Sequence, residues 1–198
     1  MAKPKRPLED AKTRCWGEVD GQLMHDYHDF EWGTPLHDDR KIFEFLVLEG
    51  MQAGLSWKLV LDKRENFRRA FRGFDPEKVA RFTARDVRRL LGDAGIIRNR
   101  LKILGAINNA KRFLEVQKEF GTFDRYIWGF VGGKPVRNKL RTFADMPART
   151  PLSDTISKVL KARGFKFVGS TVVYSHMQAT GMVNDHLVTC YRYKGLGR

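Results

Sequence analysis

Leu90-Leu91-Gly92-Asp93-Ala94-Gly95-Ile96-Ile97-Arg98-Asn99-Arg100 is a glycine-bearing turn between two stretches of helical periodicity. A connection of this length, with Gly92 and Gly95 to let the backbone turn sharply, joins two helices into a helix–hairpin–helix. The second helix then begins with backbone N–H groups that lack intrahelical partners. Those donors and the helix dipole favour an anion such as a phosphate. Arg98, Arg100 and Lys102 add positive charge on one side of the turn, and Arg85, Arg88 and Arg89 on the other. Contacts of that kind hold a protein in position on DNA without reading its sequence. An ordinary αα-hairpin with solvated arginines fits the same residues, and the turn alone does not choose between the two.

On either side the chain reads as helix after helix. The stretch 38–55 carries Ile42, Phe43, Phe45, Leu46, Val47, Leu48 and Met51, too apolar for a surface helix, and is expected at the centre of the fold. A helix over 56–71 follows, with Leu59, Val60, Phe67 and Phe71 at helical spacing, and Gly73-Phe74 ends it. Asp75 caps the next helix with Pro76 at its first position. Thr83 and Asp86 form a capping-box pattern that opens a short helix to Leu91. A long amphipathic helix runs from Arg98 to Phe120, with Leu101, Ile103, Leu104, Ile107, Ala110 and Leu114 expected inward. A short aromatic helix over 122–131, a loop over 132–150, a helix from a Ser153 cap to Arg163 and another over 170–180 complete the series. No run alternates with period two, so little or no sheet is expected and the fold class is all-α.

At 198 residues, 42% hydrophobic with 14 Phe, the chain fits one domain with a sizeable core. Residues 14–198 are expected as that domain. Residues 1–13, basic and without an apolar core, are expected as a disordered tail rather than a leader. No apolar run approaches the ~20 residues of a membrane span, so no membrane partner is expected and the protein is placed in the cytoplasm. Lys and Arg total 37 against 23 Asp and Glu, a net charge of +14. That excess, spread through the folded segments, favours a polyanionic partner and most often nucleic acid.

Leu48-Glu49-Gly50-Met51-Gln52-Ala53-Gly54-Leu55-Ser56-Trp57 places a carboxylate in apolar surroundings. A buried carboxylate is costly unless paired or hydrogen-bonded, so Glu49 needs a reason. A salt bridge or a cap is one; a pocket acid that meets a base edge or a cation is another. Gly54-Leu55 at the helix end can present an apolar wedge, the kind that fills a base stack when a nucleotide is extruded. Trp57, Trp32, Trp16 and Tyr27 offer rings for stacking, or core.

Cys15 and Cys190 are the two cysteines, and each has a histidine at ligand spacing. Cys15 precedes His28, and His186 precedes Cys190 by four residues, which puts both on one face of a helical turn. A Cys2His2 set suits tetrahedral zinc with no open position. A disulfide, or two unrelated buried thiols, are the alternatives.

Four motifs in order carry a resemblance to a known family. They are Tyr27-His28-Asp29-Phe30-Glu31-Trp32-Gly33, the Leu48–Trp57 stretch above, Asp93-Ala94-Gly95-Ile96-Ile97-Arg98, and Arg163-Gly164-Phe165-Lys166-Phe167-Val168-Gly169 followed by Val183-Asn184-Asp185-His186. Together they resemble the DNA-3-methyladenine glycosylase I family over about residues 14–190. The resemblance implies a helix–hairpin–helix glycosylase fold and a monofunctional enzyme that flips out 3-methyladenine and hydrolyses its glycosidic bond. Its partner is double-stranded DNA carrying that lesion, and a monomer is expected. It also implies one structural zinc per chain on Cys15, His28, His186 and Cys190, joining the N- and C-terminal segments. Glu49 and Tyr27 match residues that hydrogen-bond the base, with Glu49 the residue expected to matter for catalysis. Trp57 matches the stacking ring and Trp32 a further pocket wall. Gly54 and Leu55 match the plug at the lesion, and the hairpin from Ala94 through Gly95, Ile96 and Ile97 to Arg98 matches the phosphate-binding turn. Two departures stand out. The family motif begins Cys-Gly-Trp where this chain has Cys15-Trp16-Gly17, so Trp16 is not assigned to the pocket. Met24 stands where the family can place an aromatic, in a stretch expected as loop.

N3 methylation makes adenine cationic and weakens its glycosidic bond, so little acid catalysis is needed. The family lacks the aspartate that most helix–hairpin–helix glycosylases place near the long helix, and Asp124 and Asp145 lie in other surroundings. No lysine is placed by motif for Schiff-base chemistry, so strand cleavage is not expected. A broader alkylpurine glycosylase and a non-catalytic zinc-stabilised DNA-binding module are the rival readings.

Overall fold

In the computed structural model, residues 12–16 and 21–196 are described. The expected tail over 1–13 lies almost wholly outside them. The described residues form ten helices: α1 (Gly21–Phe30), α2 (Asp39–Gln52), α3 (Trp57–Asp62), α4 (Arg64–Ala70), α5 (Pro76–Ala80), α6 (Ala84–Gly92), α7 (Arg100–Phe120), α8 (Phe123–Gly129), α9 (Pro151–Ala162) and α10 (Ser170–Ala179). The exception to all-α is a two-residue parallel pair, β1 (Val136–Arg137) and β2 (Val183–Asn184), in register Val136 to Val183. It sits inside the segment expected as loop and fastens that segment to the C-terminal part of the chain.

Local chemistry sets most helix starts. Asp38 Oδ1 accepts from Lys41 N at 2.9 Å, Asp75 Oδ1 from Glu77 N and Lys78 N at 3.1 and 3.2 Å, and Asn99 Oδ1 from Lys102 N at 3.1 Å. Thr83 and Asp86 close the expected capping box. Several boundaries differ from expectation, with α2 ending at Gln52 rather than Leu55 and α7 starting at Arg100 rather than Arg98. The helix expected over 56–71 is two, α3 and α4, which meet at Lys63, whose Nζ is drawn across to Ala94 O at 3.2 Å. Thr150 rather than Ser153 caps α9, and Ser153 Oγ accepts from Thr150 N at 2.9 Å. His186 and Cys190 lie in a turn, not a helix, closed by Cys190 N donating to Leu187 O.

The core sits where the apolar run placed it. Ile42, Phe43, Leu46, Val47, Leu48 and Met51 of α2 are all buried, against α7, α8 and α10. Each such side chain contributes roughly 1.5–3 kcal/mol by leaving water. The inward face of α7 is turned from the expected one. Ile103, Ala106, Ile107, Ala110, Phe113 and Val116 are buried, while Leu101 and Leu104 are exposed and Leu114 is half-buried. Among the described residues no helix is long and apolar enough to cross a membrane.

Candidate active site and metal centre

α2 carries two buried glutamates, and they are treated differently. Glu44 is paired: Arg64 Nε donates to it at 2.5 Å and Arg68 Nη2 lies at 2.9 Å. Arg64 also reaches Glu31 at 2.7 Å, which ties α4 to α2 and to the end of α1. Glu49, 3% exposed, has no cation among the described residues, and its Oε2 is buried without a partner among them. Burial pushes its carboxyl up to about 8. Neither a salt bridge nor a cap accounts for it, so the pocket alternative stands.

The cavity beside Glu49 has a volume of about 220 Å³. α1 contributes Met24 and Tyr27, the turn after it Trp32, α2 Glu49 and Gln52, and α3 Trp57. Trp16 lies on the wall as well, 4.9 Å from Trp32 and 6.3 Å from Phe143 between ring centroids. Its one-position displacement in sequence therefore does not remove it from the site, and Met24 arrives on a helix rather than a loop. Five wall residues were not expected: Gln52 from α2, Phe143 and Met146 from the 132–150 segment, and Ser175 and Gln178 from α10. Tyr27 and Trp57 stand 5.4 Å apart, and Phe45 stacks behind Trp57 at 6.5 Å. Burial, then the charge of Glu49, holds the Tyr27 phenol well above its ordinary range. Nε1 of Trp16 and of Trp57 are also buried without partners. Three orphaned polar atoms around one cavity, each costing about 1–3 kcal/mol, describe a site made for a polar, planar ligand.

Neither Asp124 nor Asp145 lines this cavity. Asp124 pairs with His37 at 2.8 Å, and Asp145 accepts from Arg141 N and Thr142 N.

The four expected ligands come together from both ends of the described chain. Cys15, His28, His186 and Cys190 are all buried, with their ligand atoms within 4.8 Å of one another. Cys15 Sγ is 3.3 Å from His186 Nδ1, and Cys190 Sγ is 3.4 Å from His28 Nε2. A tetrahedron with zinc-type bond lengths has sulfur–nitrogen edges of about 3.6 Å, so the donor set fits a small dication. The other ring nitrogens are already engaged. His28 Nδ1 meets Asp29 at 2.8 Å and His186 Nε2 meets Trp32 O at 3.0 Å, which leaves the inward nitrogens for a metal. Burial opposes ionisation of Asp29, but hydrogen bonds from Arg14 and His28 outweigh it and hold the carboxyl well below the usual range. The thiols are free, not a disulfide. Gly33 (φ +73°) is required beside them, because a Cβ there would meet His186 Nε2 at 2.9 Å.

The turn between α6 and α7 is held from within. Asp93 Oδ1 accepts from Gly95 N at 2.8 Å, and Gly95 O accepts from Asn66 Nδ2 at 3.1 Å. Any Cβ at Gly95 would collide with Asp93 and Asn66 at about 3 Å. Ile96 is buried and anchors the turn to the core, so its side chain is not at the surface; Ile97 is half-buried. Arg98 and Arg100 are exposed, as are Arg85, Arg88 and Arg89. Lys102 is not a surface charge. Its Nζ donates to Met51 O and Ala53 O, both at 2.7 Å, and so caps the end of α2. Just beyond, Gly54 (φ +79°) turns the chain out of the helix and Leu55 stands exposed.

A family model described as methyladenine glycosylase matches residues 16–193. Over 182 residues the chain is 50% identical to DNA-3-methyladenine glycosylase 1 of Escherichia coli, covering 92% of this chain and 97% of that one. It is 45% identical over 178 residues to the DNA-3-methyladenine glycosylase of Haemophilus influenzae, covering 90% and 96%. A solved structure of 3-methyladenine DNA glycosylase I from Staphylococcus aureus, which concerns 3-methyladenine recognition, superposes with a TM-score of 0.88 at 35% identity over 93% of this chain and 98% of that one. The residues matched by the family model span the aromatic cavity, three of the four Cys2His2 residues (His28, His186 and Cys190) and the α6–α7 turn, and the chain belongs to the methyladenine glycosylase family.

Proposed function

We propose that the protein is a monofunctional DNA glycosylase that excises 3-methyladenine from alkylated double-stranded DNA by hydrolysis, the opening step of base excision repair. The observation that carries this is Glu49, a buried and unpaired carboxyl at the wall of an aromatic cavity. The relatives bear the name of this activity.

In this reading α6, the turn and α7 form a helix–hairpin–helix. Backbone N–H groups from Ala94 to Arg98 hold a phosphate, with Gly95, Ile96 and Ile97 shaping the turn and Arg98 adding charge. Gly54 and Leu55 fill the gap left in the stack. The extruded base lies on Trp57, bounded by Trp32, with Tyr27 and Glu49 on its polar edge. The bond from N9 to C1′ breaks, its electron pair leaves with the base, and the methylated adenine departs neutral. A water oxygen bonds to C1′ of the oxocarbenium-like sugar and loses a proton to solvent. Glu49 favours the positive charge on the bound base, so electrostatic stabilisation is the main term. Unmodified adenine brings no such charge, and unstacking it costs more. A structural zinc, held by Cys15, His28, His186 and Cys190, would fix the wall formed by Trp32. The protein acts as a monomer in the cytoplasm.

Release of radiolabelled bases from methylated DNA tests the proposal. Release of 3-methyladenine alone supports it, release of 7-methylguanine as well marks a broader enzyme, and no release sinks it. Trp57→Ala is expected to weaken binding of free 3-methyladenine about 10-fold or more, since stacking on one ring is worth roughly 1–3 kcal/mol, while undamaged DNA binds as before. An equal loss in both assays would make Trp57 a structural residue. Arg98→Ala is expected to weaken binding uniformly across DNA sequences and to lower the salt slope by about one. An unchanged slope would remove Arg98 from the phosphate site.

A further inference from the structure

Asp185 is 1% exposed and accepts three hydrogen bonds, from Tyr174 Oη at 2.6 Å, Asn138 Nδ2 at 2.6 Å and Gln178 Nε2 at 2.7 Å. A carboxylate with these neighbours can only accept, so the atom of Gln178 that faces it is the amide nitrogen. Chemistry thus sets the orientation of this amide. Its oxygen receives no hydrogen bond from any described residue, and the residue is only 9% exposed. Gln178 lines the cavity together with Ser175, one turn earlier on α10. The backbone is pinned too, since Gln178 O accepts from Gly33 N at 2.9 Å.

The other polar groups of the wall are less selective. Nε1 of Trp16 and Trp57 only donate, and the Tyr27 and Ser175 hydroxyls donate or accept as required. Glu49 accepts as a carboxylate and donates when protonated. Gln52 has no described partner to fix its amide. Gln178 Oε1 is the wall atom that can only accept and cannot turn.

We infer that Gln178, locked by Asp185, is a specificity-determining residue that accepts from the exocyclic amino group of a 6-aminopurine and turns away 6-oxopurines. The inference rests on reading the cavity as a base pocket. A 6-amino group brings a donor to Oε1. A 6-oxo group brings a second acceptor, and both are then left unpaired in a buried site. Sites that hydrogen-bond their substrate discriminate far better than apolar ones.

Free 3-methyladenine and its 6-oxo counterpart, 3-methylhypoxanthine, are titrated against the full chain with tryptophan fluorescence as readout, because three of the four tryptophans line the cavity. The unaltered protein is expected to prefer the 6-amino base by about 100-fold or more. Gln178→Met removes the acceptor at similar volume, and Asp185→Asn frees the amide to rotate. Each is expected to shrink the preference about tenfold, the first by losing 3-methyladenine and the second by gaining the 6-oxo base. A preference unchanged in Gln178→Met, with the melting temperature intact, overturns the inference alone. If Asp185→Asn does not fold, Gln178→Met decides by itself. Failure of the unaltered protein to bind 3-methyladenine takes away the base-pocket reading and the inference with it.

Discussion

Glu49→Gln is expected to lower excision of 3-methyladenine from DNA by about 100-fold and, in the same protein, to raise its stability in alkali. The first effect follows from the loss of a carboxylate beside a cationic base, a contact of the size removed when one preorganised electrostatic partner is deleted. The second follows from burial. The Glu49 carboxyl titrates at about 8 when folded and near 4.5 ordinarily. Between those values the folded state holds a proton that the unfolded chain has given up. Stability therefore falls as pH rises through the window, and the cost is complete above about 8, on the order of 5 kcal/mol. Glutamine has no such slope. Melting curves at pH 5 and pH 9 should show the two proteins close together in acid and the variant ahead by several degrees in alkali. The rate profile gives a third check. The carboxylate is the form that favours the cation, so kcat/KM of the unaltered protein should rise with pH up to about 8, and that of the variant should stay flat. Unchanged excision by Glu49→Gln would end the assignment of this residue. Reduced excision without the alkaline gain would mean that Glu49 has a partner when folded.

The second large effect is expected at the Cys2His2 cluster. In the reading proposed above, the purified protein carries one zinc per chain. Cys190→Ser should lose that metal and melt on the order of 10 °C lower, since a structural site contributes folding free energy directly. A strong chelator should shift the unaltered protein in the same direction. The loss reaches the pocket as well, because His186 holds Trp32 O and His28 follows Tyr27. The fluorescence response to 3-methyladenine should weaken with the metal content. Less than about half an equivalent of zinc, in protein purified without chelator, together with an unshifted melting temperature in Cys190→Ser, would count against the site.

Glu49 and the metal set were legible for different reasons. Glu49 stood out because a carboxylate among Leu48, Met51 and Leu55 breaks an apolar pattern. The metal set stood out because Cys and His at ligand spacing have few other uses. Helix starts were legible at Asp75 and Thr83, where the cap lies in its own few residues, but not at Asn99 and Thr150, where Arg98 and Ser153 were expected instead. α1 was not, because its buried face is Met24, His25, Tyr27 and His28 rather than aliphatic residues. Lys102 reads as surface charge beside two arginines, and only the packing of α7 on the end of α2 takes it inside. Phe143, Met146, Ser175 and Gln178 reach the cavity by tertiary placement. Gln178 alone left a trace, an amide following Val172, Val173, Tyr174 and Met177, and Asp185 another, a carboxylate after Val183.

The Cys15–His186 contact spans 171 positions, and it backs a wall of the cavity. The α6–α7 turn is held by partners from earlier in the chain, Lys63 and Asn66 on Ala94 and Gly95, with Lys102 reaching back to the end of α2. A growing chain thus acquires its basic turn long before it acquires a finished base site. In the reading proposed above, a chain that stops short of residue 186 carries the turn assigned to phosphate but lacks His186 and Cys190, half of the ligand set that backs the base site.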